Sequence, residues 1–364
     1  MKTRHITAYR LYNQCISHPA FKKPAEVVKW LGAVQGQDYL GALWAIGLRL
    51  QHATDQTIEK AIGDKSIIRT WALRATWQFM AAEDARWILK LISPRLLSAY
   101  AGYYRKLELD KTVLLKSHNS ITKALRDGKQ LTRNELRTAL EKNGISTEGL
   151  RSNFLFLRAA LDGLICHGPR RSKEFTFVLL DDWAKDFKKM DRDESLKELA
   201  TRYFTGHGPA TLQDFAWWSG LTLAEIKMGI EMSDSDLRHE VINGQKYWMN
   251  RKIELKSKSK TVYLLPAYDE YLVGYKDRSA PSDKKYIKQL GPGSGIFSPT
   301  VIINGKVEGT WKRSFRKKTV VIETNLFKPL THADHRTITK AAQRYGDFLG
   351  MPVFLNDKKL IITR

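Results

Sequence analysis

Val34-Gln35-Gly36-Gln37-Asp38-Tyr39-Leu40 is the stretch on which the interpretation of this chain depends. Apolar residues recur at helical spacing on both sides of it, over residues 27–34 and 40–48. Two uncharged amides, Gln35 and Gln37, therefore lie where one amphipathic helix ends and the next begins. They either cap or bridge the two helix ends, or they form a polar site held between two packed helices.

The composition is that of a folded protein. The chain has 364 residues, 43% of them hydrophobic and 27% charged, which predicts roughly two to three domains. No apolar run approaches the roughly 20 residues of a membrane span, and the N-terminus lacks a signal-peptide core. The two cysteines, Cys15 and Cys166, exclude a disulfide scaffold and a multi-cysteine zinc site. We expect no membrane association and a reducing bacterial cytoplasm, at the nucleoid.

The net charge indicates a polyanionic partner. Lys and Arg number 61 against 38 Asp and Glu, which gives +23 and an isoelectric point near 9.8. Nucleic acid is the partner that such a charge favours, and the alternative is a basic surface without a partner. The basic residues cluster on connecting segments, as phosphate contacts do. The clusters are Arg170, Arg171 and Lys173; Lys252, Lys256, Lys258 and Lys260; and Lys312, Arg313, Arg316, Lys317 and Lys318.

The first part of the chain predicts a winged helix. The predicted helices are 5–16, 25–34 and 38–50, and the predicted strands are 67–73 and 76–80. Three helices followed by a small hairpin are typical of a winged helix. Arg69 and Arg74 lie on or beside the expected wing.

The same order of elements is predicted twice more. Capping boxes at Thr132 and Thr211 open a helix in the second and third copies, and Asn243-Gly244 predicts a hairpin turn. We predict an α+β fold, mainly α, with winged-helix units at 1–105, 106–192 and 193–257. A β-rich α+β module follows at 258–364. Its predicted elements are strands 261–265, 300–303, 306–312 and 319–324, helix 332–350, and edge strands 353–355 and 360–362.

Other polar groups leave more than one interpretation open. Asp269 and Glu270 follow a predicted strand, where they either hold arginine side chains or form an acidic part of an active site; we favour the first. His167 and His207 adjoin Gly-Pro turns and are interpreted as structural. No metal site and no cofactor are expected. His332 and His335 are three residues apart, as metal ligands can be, but no cysteine or second histidine pair lies near them in sequence. The glycine-rich stretch 291–295 lacks the lysine and the following helix of a phosphate-binding loop.

Several motifs together resemble one family. They are Gln35-Gly36-Gln37, Arg69-Thr70-Trp71, Thr76-Trp77, Gly208-Pro209-Ala210-Thr211, Asp214-Phe215-Ala216-Trp217-Trp218-Ser219-Gly220, Leu264-Leu265-Pro266-Ala267-Tyr268-Asp269-Glu270-Tyr271, Tyr275-Lys276-Asp277-Arg278 and Gly309-Thr310-Trp311-Lys312-Arg313. Over nearly the whole chain they resemble the AlkZ-type winged-helix DNA glycosylases. The resemblance implies three tandem winged helices around a basic concave surface for duplex DNA. It also implies hydrolysis of the glycosidic bond of alkylated purines, in some members crosslinked ones.

The resemblance places catalysis on Gln35 and Gln37. The family motif is glutamine, a residue that is commonly apolar, and glutamine, and Gly36 departs from it at the middle position. An N7- or N3-alkylated purine is already cationic and leaves without protonation, so two carboxylates are not required. A glutamine carbonyl can accept from water while its amide donates to phosphate or base, and neither group titrates.

Two further residues are candidates around this site. Asp38 is the second candidate for a base, although we favour its role as the N-cap of the next helix. Phe315, flanked by Arg313 and Arg316 near a hairpin tip, is a candidate wedge for opening the duplex.

The expected function is a monofunctional glycosylase for alkylated purines in double-stranded DNA, with interstrand crosslinks as a further substrate. The alternative is a non-catalytic duplex-DNA-binding protein, such as a transcriptional regulator. Against a regulator, the sequence shows no evident dimerisation helix or ligand-sensing domain, and we expect a monomer.

Overall fold

The structure, a computed structural model, describes residues 3–252, 261–291, 297–329 and 332–357 and has a mixed α+β fold. Lys256, Lys258 and Lys260 of the second basic cluster and the predicted strand 360–362 lie outside these residues. None of the helices in the described ranges is long and apolar enough to cross a membrane.

The first part of the chain ends in a small antiparallel sheet. Its elements are α1 (Thr3–Asn13), α2 (Pro24–Leu31), β1 (Val34–Gln35), α3 (Tyr39–Gly47), α4 (Asp55–Gly63), β2 (Ile67–Trp71) and β3 (Trp77–Ala81). The strand order is β1–β3–β2, with Gln35 opposite Gln78. The stretch that carries the two amides therefore begins as a paired strand.

The helix that directly precedes the β2–β3 hairpin is α4, which was not predicted. The predicted helix 38–50 ends at Gly47, and the sequence analysis missed α4 altogether. In α4 the side chains of Ile58, Ala61 and Ile62 form a narrow apolar face in an otherwise polar segment. Thr54 caps the helix by accepting a hydrogen bond from the backbone N–H of Thr57. A face of three residues is a weak periodic signal, which explains the omission.

The order helix, short strand, two helices and two strands recurs. Helices α5 (Ala85–Ala99) and α6 (Ala101–Lys106) lead to α7 (Lys111–Leu125), β4 (Leu131–Thr132), α8 (Arg133–Lys142), α9 (Arg151–Leu161), β5 (Ile165–His167) and β6 (Thr176–Leu179). After α10 (Leu180–Trp183) come α11 (Arg192–Gly206), α12 (Leu212–Ser219), α13 (Leu223–Glu231), β7 (Leu237–Ile242) and β8 (Gln245–Asn250). The predicted capping boxes at Thr132 and Thr211 are present.

In each copy a short extended segment pairs with the last strand. β1 pairs with β3 and β4 with β6, and in the third copy Ala210 pairs with Trp248 of β8. Pairing between β2 and β5 at Arg69 and His167 joins the first two copies into one six-stranded sheet, β1–β3–β2–β5–β6–β4. The two copies thus share a continuous sheet.

The C-terminal part forms a five-stranded sheet. Its elements are β9 (Val262–Leu265), α14 (Glu270–Val273), α15 (Ile287–Leu290), β10 (Thr300–Ile303), β11 (Lys306–Arg316), β12 (Thr319–Leu326), α16 (His332–Leu349) and β13 (Val353–Asp357), in the sheet order β13–β12–β11–β10–β9. Arg316 pairs with Thr319, so Lys317 and Lys318 form the tip of the β11–β12 hairpin.

This sheet packs on the first copy through buried tryptophans. The ring of Trp44 in α3 lies 5.1 Å from the rings of Tyr345 and Phe348 in α16. Its Nε1 donates to the carbonyl oxygen of Leu264 at 2.8 Å, and Nε1 of Trp311 donates to that of Leu265 at 2.8 Å. Both indole nitrogens thus bond to the end of β9, and this fixes the segment that follows it.

A buried ion pair completes this contact. Arg49 donates to both carboxylate oxygens of Asp269, each at 2.9 Å, and both side chains are 1% exposed. Arg49 also donates to Gln14 Oε1 and to the carbonyl oxygen of Ala45. Asp269 in turn caps α14 by accepting from the backbone N–H of Tyr271. The pair therefore sets the position of Glu270, the first residue of α14.

Replacement of Asp269 by alanine is expected to lower the free energy of unfolding by about 3–5 kcal/mol, because it leaves the Arg49 charge buried without a partner. Chemical denaturation measures the decrease. The control is Glu83→Ala, which removes a half-exposed pair with Lys29 and is expected to cost less than about 1 kcal/mol. Equal decreases in the two variants would contradict a stabilising role for the buried pair.

Candidate active site

Gln35 and Gln37 lie at the end of β1 and just before α3. Gln35, the last residue of β1, is 7% exposed, whereas Gln37 is exposed. The two amides lie between two helices, as predicted, and they have opposite environments. One is held inside the protein and the other faces solvent.

Gln35 is held at both its side chain and its backbone. Arg74 Nη2 donates to Gln35 Oε1 at 2.9 Å, and the backbone N–H of Gln35 donates to Glu270 Oε1 at 3.0 Å. An arginine has no acceptor, so the contact with Arg74 determines which end of the amide is the oxygen.

Arg74 lies in the turn between β2 and β3, at the expected wing. Its φ is 57° and that of Ala75 is 53°, a left-handed conformation that residues with a Cβ seldom adopt. The turn directs the guanidinium into the protein, where Nη1 donates to the carbonyl oxygen of Trp218 at 2.6 Å. Burial lowers the pKa of Arg74, and the charge of Glu270 partly opposes this. The guanidinium predicted to contact DNA is engaged with Gln35 and α12.

Glu270 is a buried carboxylate with three donors. It is 0% exposed, and it accepts from the Gln35 backbone, from His207 Nε2 at 3.2 Å and from Trp218 Nε1 at 2.9 Å. Burial by itself would raise the pKa of Glu270, but the hydrogen bond from His207 and the charges of His207 and Arg74 outweigh it and lower the pKa. The carboxylate is therefore a fixed negative charge beside Gln35.

Gly36 is held by Arg69. Arg69 is 4% exposed, and its Nε and Nη2 donate to the Gly36 carbonyl oxygen at 3.1 and 2.9 Å. The backbone N–H of Gly36 donates to the Trp77 carbonyl oxygen at 2.7 Å. A Cβ at position 36 would lie 3.1 Å from the Phe79 ring and 3.3 Å from Arg69 Nε. Glycine at position 36 thus allows the close approach of Arg69. The side chain of Arg69 is buried, which does not suit the phosphate contact predicted for it.

His167 supports Arg69 from the neighbouring strand. Arg69 Nη1 lies 2.6 Å from His167 Nδ1, which must accept because arginine donates only. Burial and the charges of Arg69 and Arg133 hold the pKa of His167 well below its ordinary value, so the ring is neutral. Its imidazole stacks on the rings of Trp77 and Phe175 at 4.1 and 4.9 Å. The structural interpretation of His167 agrees with these contacts.

Asp38 is the N-cap of α3, the role that the sequence analysis favoured. It accepts from the backbone N–H of Gly41 at 3.2 Å. Arg313 Nη2 of the C-terminal hairpin lies 3.3 Å from both Asp38 oxygens, with the arginine side chain 16% exposed. Arg313 therefore joins the hairpin to the loop of Gln37.

The remaining predicted DNA contacts lie in three places. Arg170 pairs with Glu59 at 2.5 Å and covers the ring of Tyr39, next to Asp38. Arg171, the next residue in the chain, pairs with Glu135 in the second copy. The other predicted contacts lie on the β11–β12 hairpin and are exposed: Lys312, Phe315, Arg316, Lys317 and Lys318. Phe315, 51% exposed, shares a strand face with Arg313, because the two are two residues apart.

The sequence analysis did not assign Glu270, His207 and Trp218 to the site. For the acidic pair Asp269 and Glu270, the sequence left a structural role and an active-site role open, and the structural role was favoured. Glu270 lies 235 residues from Gln35 in the chain. His207 was interpreted as structural because it adjoins a turn. Gly274 offered a weak signal, since a Cβ there would lie 2.7 Å from His207 Cδ2 and 2.5 Å from the Glu270 carbonyl oxygen.

The stability provided by Glu270 is expected to depend on pH. Its folded pKa lies below the ordinary 4.5, so the carboxylate stabilises the fold above that pH, and the contribution disappears as the pH falls through the folded pKa. The difference in unfolding free energy between the wild type and Glu270→Gln should shrink on acidification from neutrality. Urea titrations at a series of pH values measure it, with exposed Glu83→Gln as control. A difference that is constant with pH would contradict this prediction.

Comparisons with known proteins identify the family and the fold of the chain. The family model described as DNA glycosylase AlkZ-like matches residues 28–348, which include Gln35, Arg74, Glu270 and Arg313. The interstrand DNA cross-link repair glycosylase of Streptomyces sahachiroi is 27% identical over 337 residues, covering 85% of this chain and 87% of that protein. The structure of the DNA glycosylase AlkZ from the same organism has the same fold. It superimposes with a TM-score of 0.81 at 22% identity, over 98% of this chain and 100% of that one.

Proposed function

The chain belongs to the AlkZ-like family of DNA glycosylases, hydrolases of N-glycosyl bonds, and we propose that it releases cationic N7- or N3-alkylated purines from duplex DNA with Gln35 and Gln37 as catalytic residues. The observation that carries the proposal is the contrast between the two amides. Gln35 is anchored by Arg74 and Glu270, and Gln37 is exposed two residues further on.

Two amides are sufficient for a substrate that is already cationic. The alkylated base departs with the electron pair of its bond to C1′ and needs no proton. The protein has to place water on C1′ and tolerate the positive charge of the sugar. The exposed carbonyl of Gln37 is suited to accept a hydrogen bond from this water.

Asp38 takes a supporting role in this proposal. Both of its oxygens face Arg313, and one also caps α3. Both carboxylate oxygens are thus engaged by donors of the protein instead of by water. We therefore assign Asp38 to the placement of the Gln37 loop.

We propose that the three copies are winged-helix units at 1–105, 106–192 and 193–257, followed by the module at 258–364. The threefold recurrence of the same element order, and the pairing of a short segment with the last strand in each copy, support this. We also propose that the protein acts as a monomer.

The exposed basic tip of the β11–β12 hairpin is the proposed contact with DNA phosphates. Arg316, Lys317 and Lys318 are exposed there, and Phe315 lies on the strand face shared with Arg313, which bonds to Asp38 beside Gln37. An aromatic side chain at this position is suited to enter the duplex next to the lesion. Arg69, Arg74 and Arg313, which bond inside the protein, are assigned to the support of the site.

The proposal extends to interstrand crosslinks. The Streptomyces relative is named a cross-link repair glycosylase, and it aligns with most of this chain. A crosslink through purine N7 atoms places the same cationic leaving group on each strand, so the chemistry required is unchanged. Incubation with a duplex crosslinked through N7 tests this, and failure to separate the strands would restrict the substrate to single-strand adducts.

Gln37→Ala is expected to lower the single-turnover release of N7-methylguanine by roughly 10²–10³-fold, because the variant has no preorganised polar group to hold the water. DNA affinity should change little. Since amides do not titrate, the wild-type rate should be flat with pH across neutrality. The matched control is Gln51→Ala, which removes an exposed glutamine after α3. Full activity in Gln37→Ala would exclude the catalytic assignment, and no release by the wild type from any alkylated duplex would exclude the proposed function.

Alanine at Arg316, Lys317 and Lys318 together is expected to weaken binding to duplex DNA. The slope of log K against log salt should become shallower by about 0.9 for each phosphate that the variant no longer neutralises. The thermal midpoint should stay nearly constant because these side chains are exposed. The charge-matched control replaces exposed Lys106, Lys111 and Lys116 of α6 and α7. Equal salt slopes for the two triple variants would contradict a role of the hairpin tip.

A further inference from the structure

We propose that Arg74 and Glu270 are positioning residues that fix Gln35 with its amide nitrogen free, so that Gln35 serves the reaction as a hydrogen-bond donor and Gln37 as the acceptor. This inference rests on the proposed function and assigns the two glutamines different roles. It also assigns roles to two charged residues that do not touch the reacting atoms.

The polarity of Gln35 follows from its partner. Arg74 Nη2 lies 2.9 Å from the side-chain oxygen, and a guanidinium offers donors only. The oxygen of Gln35 is therefore engaged, and within the described residues no acceptor is placed against Nε2. The group that remains for DNA is an N–H donor.

Arg74 is itself fixed. Its second nitrogen donates to the Trp218 carbonyl oxygen at 2.6 Å, and its left-handed backbone belongs to a turn without glycine. Backbone conformations of this kind persist where the surrounding contacts determine them, and they occur often at functional sites. A guanidinium whose two terminal nitrogens are held by acceptors of the protein is not available to a DNA phosphate.

Glu270 fixes the other side of Gln35. One oxygen accepts the Gln35 backbone N–H, and the other accepts from His207 and Trp218. Trp218 thus contacts Arg74 through its carbonyl oxygen and Glu270 through its indole. The four residues Gln35, Arg74, Trp218 and Glu270 form a closed ring of hydrogen bonds around the catalytic amide.

A donor at this place assists the leaving base. When the bond from C1′ to the purine nitrogen breaks, its electron pair goes to the base and neutralises the cation. Electron density rises on the acceptor atoms of the purine, where an N–H from Gln35 is stabilising. The water oxygen held by Gln37 forms the new bond to C1′, and the proton it releases passes to solvent.

Isosteric variants separate donor from acceptor. Gln35→Glu keeps an oxygen for Arg74 but offers DNA an oxygen instead of N–H, so its single-turnover rate at saturating N7-methylguanine duplex should fall about as far as that of Gln35→Ala, about 100-fold. Gln37→Glu keeps its acceptor and should retain a rate well above that of Gln37→Ala. Wild-type activity in Gln35→Glu would overturn the proposal.

Replacement of Arg74 or Glu270 tests the positioning role, because it should lower the reaction rate without changing the affinity for DNA. Arg74→Ala and Glu270→Gln should lower the single-turnover rate about tenfold or more while the Kd for DNA stays near that of the wild type. Arg74→Lys, which retains a donor, should recover part of the rate. The comparison variant Gln51→Ala, at an exposed residue outside the site, should leave both Kd and the saturated rate unchanged.

The outcomes are distinguishable. If Arg74→Ala raises Kd and flattens the salt dependence, Arg74 is a phosphate contact and the inference is wrong. If Arg74→Ala does not fold, the inference is still tested by the rate and Kd of Arg74→Lys and by the rate of Gln35→Glu compared with that of Gln35→Ala. If the wild type releases no alkylated base, the proposed function is wrong. If the wild type is active and Glu270→Gln keeps the wild-type rate, only the inference is wrong.

Discussion

The ion pair between Arg49 and Asp269 is the interaction on which the site depends. Neither charge is exposed, and each would be costly in the core without the other. Arg49 follows α3 of the first copy, and Asp269 follows β9 of the C-terminal sheet, so the pair joins two parts of the chain that are 220 residues apart. Because Asp269 also caps α14, the next residue, Glu270, is directed to the backbone of Gln35. An ion pair that does not touch Gln35 thereby places the carboxylate that holds the Gln35 backbone.

Four separate segments meet around Gln35. The end of β1 with Gln35, the turn of Arg74, the end of α12 with Trp218, and the start of α14 with Glu270 each contribute one member of the ring of hydrogen bonds. Polar groups that are fixed before the substrate arrives stabilise charge without reorganising. Gln37 has no such enclosure, and its exposure agrees with a group that has to meet water. The loop of Gln37 is instead placed from outside, through Asp38 and Arg313.

The features that could be predicted from the sequence are those that depend on residues close together in the chain. The caps at Thr132 and Thr211 and the turn at Asn243, whose φ is 50°, depend on residues a few positions apart, and all three were predicted. Helix α4 was missed because its apolar face is narrow. Arg69 and Arg74 lie in the β2–β3 hairpin and its turn, where a hairpin was predicted, but whether a guanidinium points to DNA or into the protein depends on distant acceptors. The carbonyl oxygens of Gly36 and Trp218 are those acceptors, and no local pattern identifies them.

The charges inside the site also bear on its substrate. An alkylated purine is cationic, and so is the sugar while the base departs, so an uncompensated guanidinium nearby would oppose the reaction. The negative charge of Glu270 offsets the positive charge of Arg74 and opposes the lowering of the Arg74 pKa by burial. The N–H groups of Arg74 donate to Gln35 and Trp218. Under the proposed function, the groups that face the lesion are neutral amides. Arg69 is a second guanidinium beside them; its donors are engaged by Gly36 and His167, and burial lowers its pKa to about 9. In the same proposal, the exposed basic residues of this protein of charge +23 meet phosphate and not the cationic base.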